Sequence, residues 1–354
     1  MALSCRAILL DSGRMDLPLH AHHARPGALS ALAAAWVPAL AAVAYPWLLA
    51  AFHATFAAQP VLAALLLLGA FAMPGLGLLL VLHSAGAAPA SVRQGRARQL
   101  ALLGVAVPPL FVFTAFLLGV LGHPVPETWA WTAAWLALGL WASAGGGAAL
   151  PAAAPPAAAA RVAHGVVAAL VLVYVLFHLA NHLFGLVGPA AHAAVMQWGR
   201  RLYRAPVAEV LLVGLLLCQV ALGGWLAWRW SRRGMDRHRA FQLASGVYLG
   251  FFVLTHMNSA LVSARALHGI ATDWAWASGA PTGLLRDAWS IRLVPHYALG
   301  VFFVLAHLAS GLRVVLTAHG LAPAAVNRAW AAGLLAAALV SAAIVAGLCG
   351  LRIV

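Results

Sequence analysis

The sequence predicts an all-α membrane protein, a polytopic bundle of transmembrane helices. Of its 354 residues, 64% are apolar and only 8% are charged, and the mean hydropathy is +0.94. A soluble domain usually carries about a quarter charged residues, so this chain has too few to cover a water-facing surface. Its apolar residues form runs of about 20, which is the length that crosses ~30 Å of hydrocarbon. Such runs lack strand alternation and must be helical in lipid. A soluble enzyme, a secreted disulfide scaffold and a disordered chain are therefore excluded.

Nine apolar runs are predicted to span the membrane. The fourth is the weakest, because it runs into Gly145-Gly146-Gly147 and Pro151. The predicted spans cover about 29–53, 61–83, 100–121, 129–150, 162–186, 207–228, 240–264, 294–317 and 329–350.

A low-complexity segment predicts two modules. Residues 142–161 read ASAGGGAALPAAAPPAAAAR, a composition typical of a linker. Residues 29–150 form a predicted four-span module of unknown role, 151–161 the linker, and 162–354 a five-span module. Residues 1–28 are polar and form a predicted cytoplasmic tail. Its histidines, His20, His22 and His23, either bind a metal or are simply solvated.

The arginines predict the orientation. All 21 cationic residues are Arg, and the Ala- and Arg-rich composition is typical of a bacterial chain. With the N-terminus in the cytoplasm, 13 Arg lie in inner segments and 7 in outer ones. This bias favours a cytoplasmic N-terminus, an outer C-terminus and the bacterial inner membrane. Arg200, Arg201 and Arg204 are an outer cluster that opposes the bias.

A short histidine-centred sequence recurs in the second module. It reads VLFHL around His178, VLTHM around His256 and VLAHL around His307. The sixth span has LLCQV, with Gln219 in the same frame. Polar side chains are costly in lipid, so these four should face the bundle interior and have a partner or a ligand.

Depth along the helices pairs two of these histidines. His178 and His256 each lie 16 residues after the start of a predicted span, or ~24 Å from the inner face. Two imidazoles at one depth on two helices predict the axial ligands of haem b. Hydrogen bonding between helices is the alternative. Gln219 and His307 share a second depth nearer mid-membrane, and His182 is predicted to support the first pair or to lie at the interface.

Parts of the second module resemble the cytochrome b membrane anchors of succinate dehydrogenase and fumarate reductase. Residues 164–229 resemble the first two spans of that family, with a His-Leu-x-x-x-Leu helix end, a Gly-Pro loop and Glu209 opening the next helix. Residues 241–257 resemble its Ser-Gly…His helix, and 295–313 its last ligand-bearing helix. The resemblance covers about 162–350, and the first 150 residues have no counterpart.

The resemblance implies a function and a ligand set. It implies electron transfer between a pool of menaquinone or ubiquinone and a separate redox subunit on the cytoplasmic face. Two-haem members of the family pair the first ligand helix with the third and the second with the fourth. Here this gives His178 with His256, and Gln219 with His307. Because Gln is a poor haem ligand, one haem b is expected, and any enzymatic role is that of a membrane subunit of a quinone-linked oxidoreductase.

The outer arginine cluster is a candidate quinone site. Its positive charge suits haem propionates or a quinol anion, through charge-assisted hydrogen bonds. Contact with lipid headgroups is the alternative. The candidate residues are His192, Arg200, Arg201, Tyr203 and Arg204. The competing function for the whole chain is a haem-free transporter or assembly factor, in which the intramembrane histidines relay protons or pack.

Overall fold

The computed structural model describes residues 31–151 and 153–353, and this part of the chain forms an all-α bundle. The predicted fold class, a polytopic helical bundle, is confirmed. The tail 1–28, with His20, His22 and His23, lies outside the described residues, as do the first two residues of the first predicted span.

Prolines and polar caps begin the helices. Pro60, Pro189, Pro206 and Pro323 each open a helix, where the N–H that proline lacks would have no intrahelical partner. The Asp236 carboxylate accepts the backbone N–H of Arg239 at 2.8 Å and caps another. The helices are α1 Ala31–Thr55, α2 Pro60–His83, α3 Val92–Val105, α4 Val107–Val120, α5 Glu127–Ser143, α6 Ala158–Leu183, α7 Pro189–Tyr203, α8 Pro206–Ser231, α9 Arg237–Met257, α10 Trp274–Ala277, α11 Leu293–Ala318 and α12 Pro323–Leu348. A π-helix, Asn258–Leu267, continues α9, and 3₁₀ turns follow α6 and precede α11.

The number of helices that are long and apolar enough to cross a membrane is lower than predicted. Within the described ranges there are seven, or eight if the bent pair α3 and α4 is one span. The third predicted span, 100–121, is bent by 78° between these two helices, where Pro108 and Pro109 interrupt the hydrogen-bond ladder. The fourth, 129–150, is the 17-residue α5. At ~26 Å it falls short of the hydrocarbon thickness, because the glycines after Ser143 end it early.

Contacts at the termini of α5 show that it extends between the two ends of the bundle. The two ends are named after arginines. The Arg237 end contains the connecting segments 232–236 and 319–322. The Arg200 end contains residues 187–205 and 268–289. Glu127 begins α5 and pairs with Arg292 at the Arg200 end. Beyond its other terminus, the Gly145 carbonyl accepts a hydrogen bond from Arg93 Nε at 2.8 Å. Since α3 begins at the Arg237 end, α5 connects the two ends.

Five helices of the second module close a ring. α6 packs on α8, α8 on α9, α9 on α11, α11 on α12, and α12 on α6. Among the described residues, α6 has no extensive backbone contact with α9 or α11. Neighbouring helix axes lie 8–10 Å apart, so helices on a diagonal of such a ring are separated by about 13–16 Å. Side chains alone bridge this interior.

The first module braces one side of the ring. α2, α3 and α4 pack on α9, and α4 also packs on α11. The Thr255 hydroxyl donates to the Pro109 carbonyl at 3.3 Å, just after the bend between α3 and α4. The bend therefore lies directly behind α9 at the residue that precedes His256.

Candidate functional site

Two histidines of α6 face the ring interior at two levels. His164 and His178 are 14 residues apart, which is ~21 Å along a helix and close to four whole turns, so both lie on one face. His178 meets His256 of α9, and His164 meets His307 of α11. We call these the His178 level and the His164 level.

At the His178 level the two rings face each other across a diagonal of the ring. The ring centroids of His178 and His256 are 5.9 Å apart. Tyr174 stacks on His178 at 5.6 Å, and Phe252 stacks on His256 at 5.5 Å with an angle of 13° between the planes. In the described part of the chain, neither imidazole has a hydrogen bond. Within the described residues, two polar rings in an apolar bundle are thus left without a hydrogen-bond partner.

This geometry fits a metal held between two imidazoles. With metal–nitrogen bonds of about 2.0–2.1 Å on both sides, the two ring centroids lie about 6 Å apart. Among the described residues, no group of three or more His, Cys, Asp or Glu is placed to hold a metal ion. A bare zinc ion, which needs four ligands, is therefore not provided for. Haem supplies four nitrogens of its own and needs only the two axial ones.

More imidazoles lead from this level towards the Arg200 end. The His182 ring is 4.7 Å from that of His178 and 5.4 Å from that of His192. His192 is buried against Trp274 and within hydrogen-bonding distance of the Asn181 amide, at 3.2 Å. Burial, reinforced by the charge of Arg200, lowers the pKa of His192 to about 4. The ring is thus neutral at pH 7.

Two residues of the arginine cluster are anchored by hydrogen bonds, and the third is exposed. Arg200 Nη2 donates to the Thr272 carbonyl at 2.8 Å, and Arg204 Nη2 to the Thr272 hydroxyl at 2.9 Å. Arg201 is exposed. Tyr203 packs on Tyr174 at 5.4 Å, so α7 places these groups beside the His178 level. Glu209, at the start of α8, pairs with Arg265.

Two residues of α11 that were not predicted as site residues, His296 and Tyr297, also line the His178 level. The His296 ring is 4.7 Å from Phe252, and the Tyr297 ring is 6.4 Å from His256. Their signal was weak because neither lies in the recurring VLxH frame.

The His164 level differs from the predicted pair of Gln219 and His307. The His164 and His307 ring centroids are 6.5 Å apart, and Gln219 Nε2 lies 3.2 Å from His164 Nε2. The Ser245 hydroxyl is 3.0 Å from His307 Nδ1. Gln219 therefore shares this level, as depth predicted, but contacts the ring that faces His307. The 14-residue spacing from His178 was the signal that would have found His164.

The site thus consists of imidazole pairs across a helical ring, with an arginine cluster at one end. Such a core can hold a flat, apolar macrocycle by two axial ligands, as helical bundles do for cofactors in general. Comparisons with protein-family models, curated proteins and solved structures find no match for this chain.

Proposed function

We propose that this protein is an integral membrane haem b protein that carries electrons between a quinone pool and a separate redox protein. The observation that supports it is the pair His178 and His256, whose centroids are 5.9 Å apart across the helical ring. Both rings lie in an apolar frame, where a polar group without a ligand is costly. The proposal agrees with the resemblance to the succinate dehydrogenase and fumarate reductase anchors.

The side chains at the His178 level have distinct proposed roles. Haem bound here would supply one-electron redox chemistry, and His178 and His256 would hold it. Tyr174 and Phe252 stack on these rings and limit their rotation. The surrounding helices exclude water, which together with the axial ligands is a main determinant of a haem potential.

The Arg200 end is the proposed docking site for menaquinol or ubiquinol. Arg200 and Arg204 are held by Thr272, beside the tyrosines that reach His178. Their guanidinium groups suit propionates or a quinol anion. His192 packs against His182 and Trp274 at the same end. We place the separate redox subunit at the opposite, Arg237 end, which the arginine bias predicts to be cytoplasmic and where Arg237 is exposed.

The test is the absorption spectrum of the protein purified after expression with ample haem supply. Dithionite-reduced minus oxidised spectra should show a b-type α band. His178→Ala and His256→Ala should each remove the haem held at this level, because one axial ligand is lost. His319→Ala, at the exposed end of α11, is the matched control and should keep the wild-type haem content. An unpigmented wild-type protein would overturn the proposal.

A haem-free proton path is the second candidate function. The rings of His192, His182 and His178 form a continuous row, with centroid separations of 5.4 and 4.7 Å. Histidines in such a row can relay protons between an aqueous surface and the membrane interior. Colourless protein whose proton flux in liposomes is lost in His182→Ala would favour this function.

A further inference from the structure

The His164 level repeats the geometry of the first. Its ring centroids are 6.5 Å apart, against the about 6 Å expected for two imidazoles on one metal. His164 is on α6 and His307 is on α11, which lie on another diagonal of the ring. Gly246 makes room for the second ring, since a Cβ there would lie 3.0 Å from His307 Cε1. This contact is tight, so a side chain at residue 246 would push the His307 ring by a few tenths of an ångström.

Hydrogen bonds leave one nitrogen of each ring available. The Ser245 hydroxyl donates to the Gln242 carbonyl at 3.0 Å, so its oxygen is left to accept the Nδ1–H of His307. This fixes the tautomer in which His307 Nε2 carries a free lone pair. A metal-bound histidine typically has this arrangement, with the other ring nitrogen donating to a neighbour.

Gln219 plays the same part for His164. One nitrogen of His164 contacts the Gln219 amide, and the other is buried without a partner. The Gln219 oxygen is also buried without a partner. With the amide turned by 180°, its oxygen accepts the Nε2–H of His164. The lone pair of His164 is then on Nδ1, and a metal bound there accounts for the lack of any other partner at that nitrogen.

Positive charge gathers between this level and the Arg237 end. Arg161 is three residues before His164, and Arg313 is six after His307, or ~5 and ~9 Å along their helices. Arg239 is close enough to Arg161 and Arg313 for electrostatic repulsion between their charges. None of the three belongs to either ion pair of the described residues, and Asp236 is the acidic residue that lines the pocket beside Arg239 and Arg313. This excess of positive charge complements the two negatively charged propionates of a haem.

We infer that His164 and His307 form a second bis-histidine haem site, in which Gln219 orients His164 and Arg161, Arg239 and Arg313 meet the propionates. Gln219 is thus a positioning residue and His164 the ligand. The inference rests on the proposed function, since both sites bind the same cofactor. It assigns the protein two haems, ~21 Å apart along α6, where one was expected from the sequence.

The decisive measurement is the number of haems per chain in the purified, detergent-solubilised protein. We expect about two in wild type and about one in His164→Ala, His307→Ala and His178→Ala, because each removes one axial ligand. His164→Ala combined with His178→Ala should bind none. His319→Ala is the control and should keep both.

Electron paramagnetic resonance of the oxidised protein gives a second readout, which does not require a variant that removes a haem ligand. Gln219→Leu keeps both ligands and removes the hydrogen bond to His164, so one of two low-spin signals should shift. Gln59→Leu, at an exposed position before α2, should shift neither. Two haems with both signals unchanged in Gln219→Leu would overturn the positioning role.

The outcomes separate the two proposals. One haem per chain that survives His164→Ala and His307→Ala but is lost in His178→Ala would overturn the second site and leave the proposed function intact. No haem in wild type would overturn the proposed function itself.

Discussion

At the scale of single residues, Gly300 controls how Phe252 supports His256. A Cβ at Gly300 would lie 2.3 Å from Phe252 Cε2, which is far inside van der Waals contact. Phe252 also lies 4.7 Å from the His296 ring, one turn before Gly300, so α11 packs against Phe252 at two positions. Because Phe252 stacks on His256, a displacement of the Phe252 ring disturbs that stacking.

Gly300→Ala should therefore displace Phe252 and disturb the His178 level. Overpacking of this kind costs about 1–3 kcal/mol of stability, and we expect a shifted low-spin signal and a lower haem content. The measurements are electron paramagnetic resonance and the thermal midpoint of unfolding in detergent.

Two further variants check the cause of that effect. Gly311→Ala, on the same helix with nothing within 4 Å of the added carbon, should change neither measurement. Gly300→Ala combined with Phe252→Leu should recover most of the loss, because leucine is smaller than the ring it replaces. Equal effects of Gly300→Ala and Gly311→Ala would contradict this role.

At the scale of elements, α7 is an amphipathic helix that covers the Arg200 end. His192, Met196 and Gly199 are buried, whereas Trp198 and Leu202 are exposed. Apolar and aromatic side chains on the outer face suit a helix that lies at the membrane interface. The inner face carries His192 towards the imidazole row, so the helix links the surface to the His178 level.

The anchored arginines of this region should matter for quinol oxidation. Arg200→Gln with Arg204→Gln should slow haem reduction by a menaquinol analogue by about tenfold, the equivalent of one charge-assisted hydrogen bond. The haem potential should fall as well, because nearby positive charge favours the reduced haem. Stopped-flow absorbance and a redox titration measure the two effects.

Arg201→Gln is the matched control, since Arg201 is an exposed arginine on the same helix. Its reduction rate and potential should stay at the wild-type values. The quinone assignment fails if the double variant is folded and also behaves like wild type.

At the scale of the whole molecule, polar contacts between the two modules fix which helix termini share an end. Arg98 is buried, and its guanidinium donates to four carbonyls, those of Ser84, Ala87, Ser231 and Arg233. It therefore joins α2 and α3 to the loop between α8 and α9. Glu127 and Arg292 make the corresponding link at the opposite end.

These links sharpen the predicted topology. Reporter fusions at residues 95 and 235 should both score cytoplasmic, because Arg98 places them at the same end and the arginine bias directs that end inward. A fusion at residue 205 should score on the opposite side. Alkaline phosphatase and fluorescent-protein fusions report the two sides. Opposite signals from 95 and 235 would contradict the arrangement, and with it the packing of the first module on the ring.

Features that depend on local chain properties were predictable. Apolar run lengths predicted the helical bundle, and the fixed rise per residue placed His178 and His256 at one depth. The same depth argument placed Gln219 and His307 together, and the structure does bring both to the His164 level. Pro108, Pro109 and the glycines after Ser143 can also be identified in the sequence. Hydropathy, however, does not show that the prolines bend the third predicted span or that the glycines shorten the fourth.

The sequence by itself determined that this is a multi-helix membrane bundle with histidines at matched depths, because hydropathy and helical rise are properties of single segments. Only the tertiary structure decided which helices are diagonal in the ring and how each is rotated about its axis. That rotation places His164 opposite His307 and puts Gln219 against His164. It depends on how neighbouring helices pack, including the first module behind α9, and no single helix carries that information.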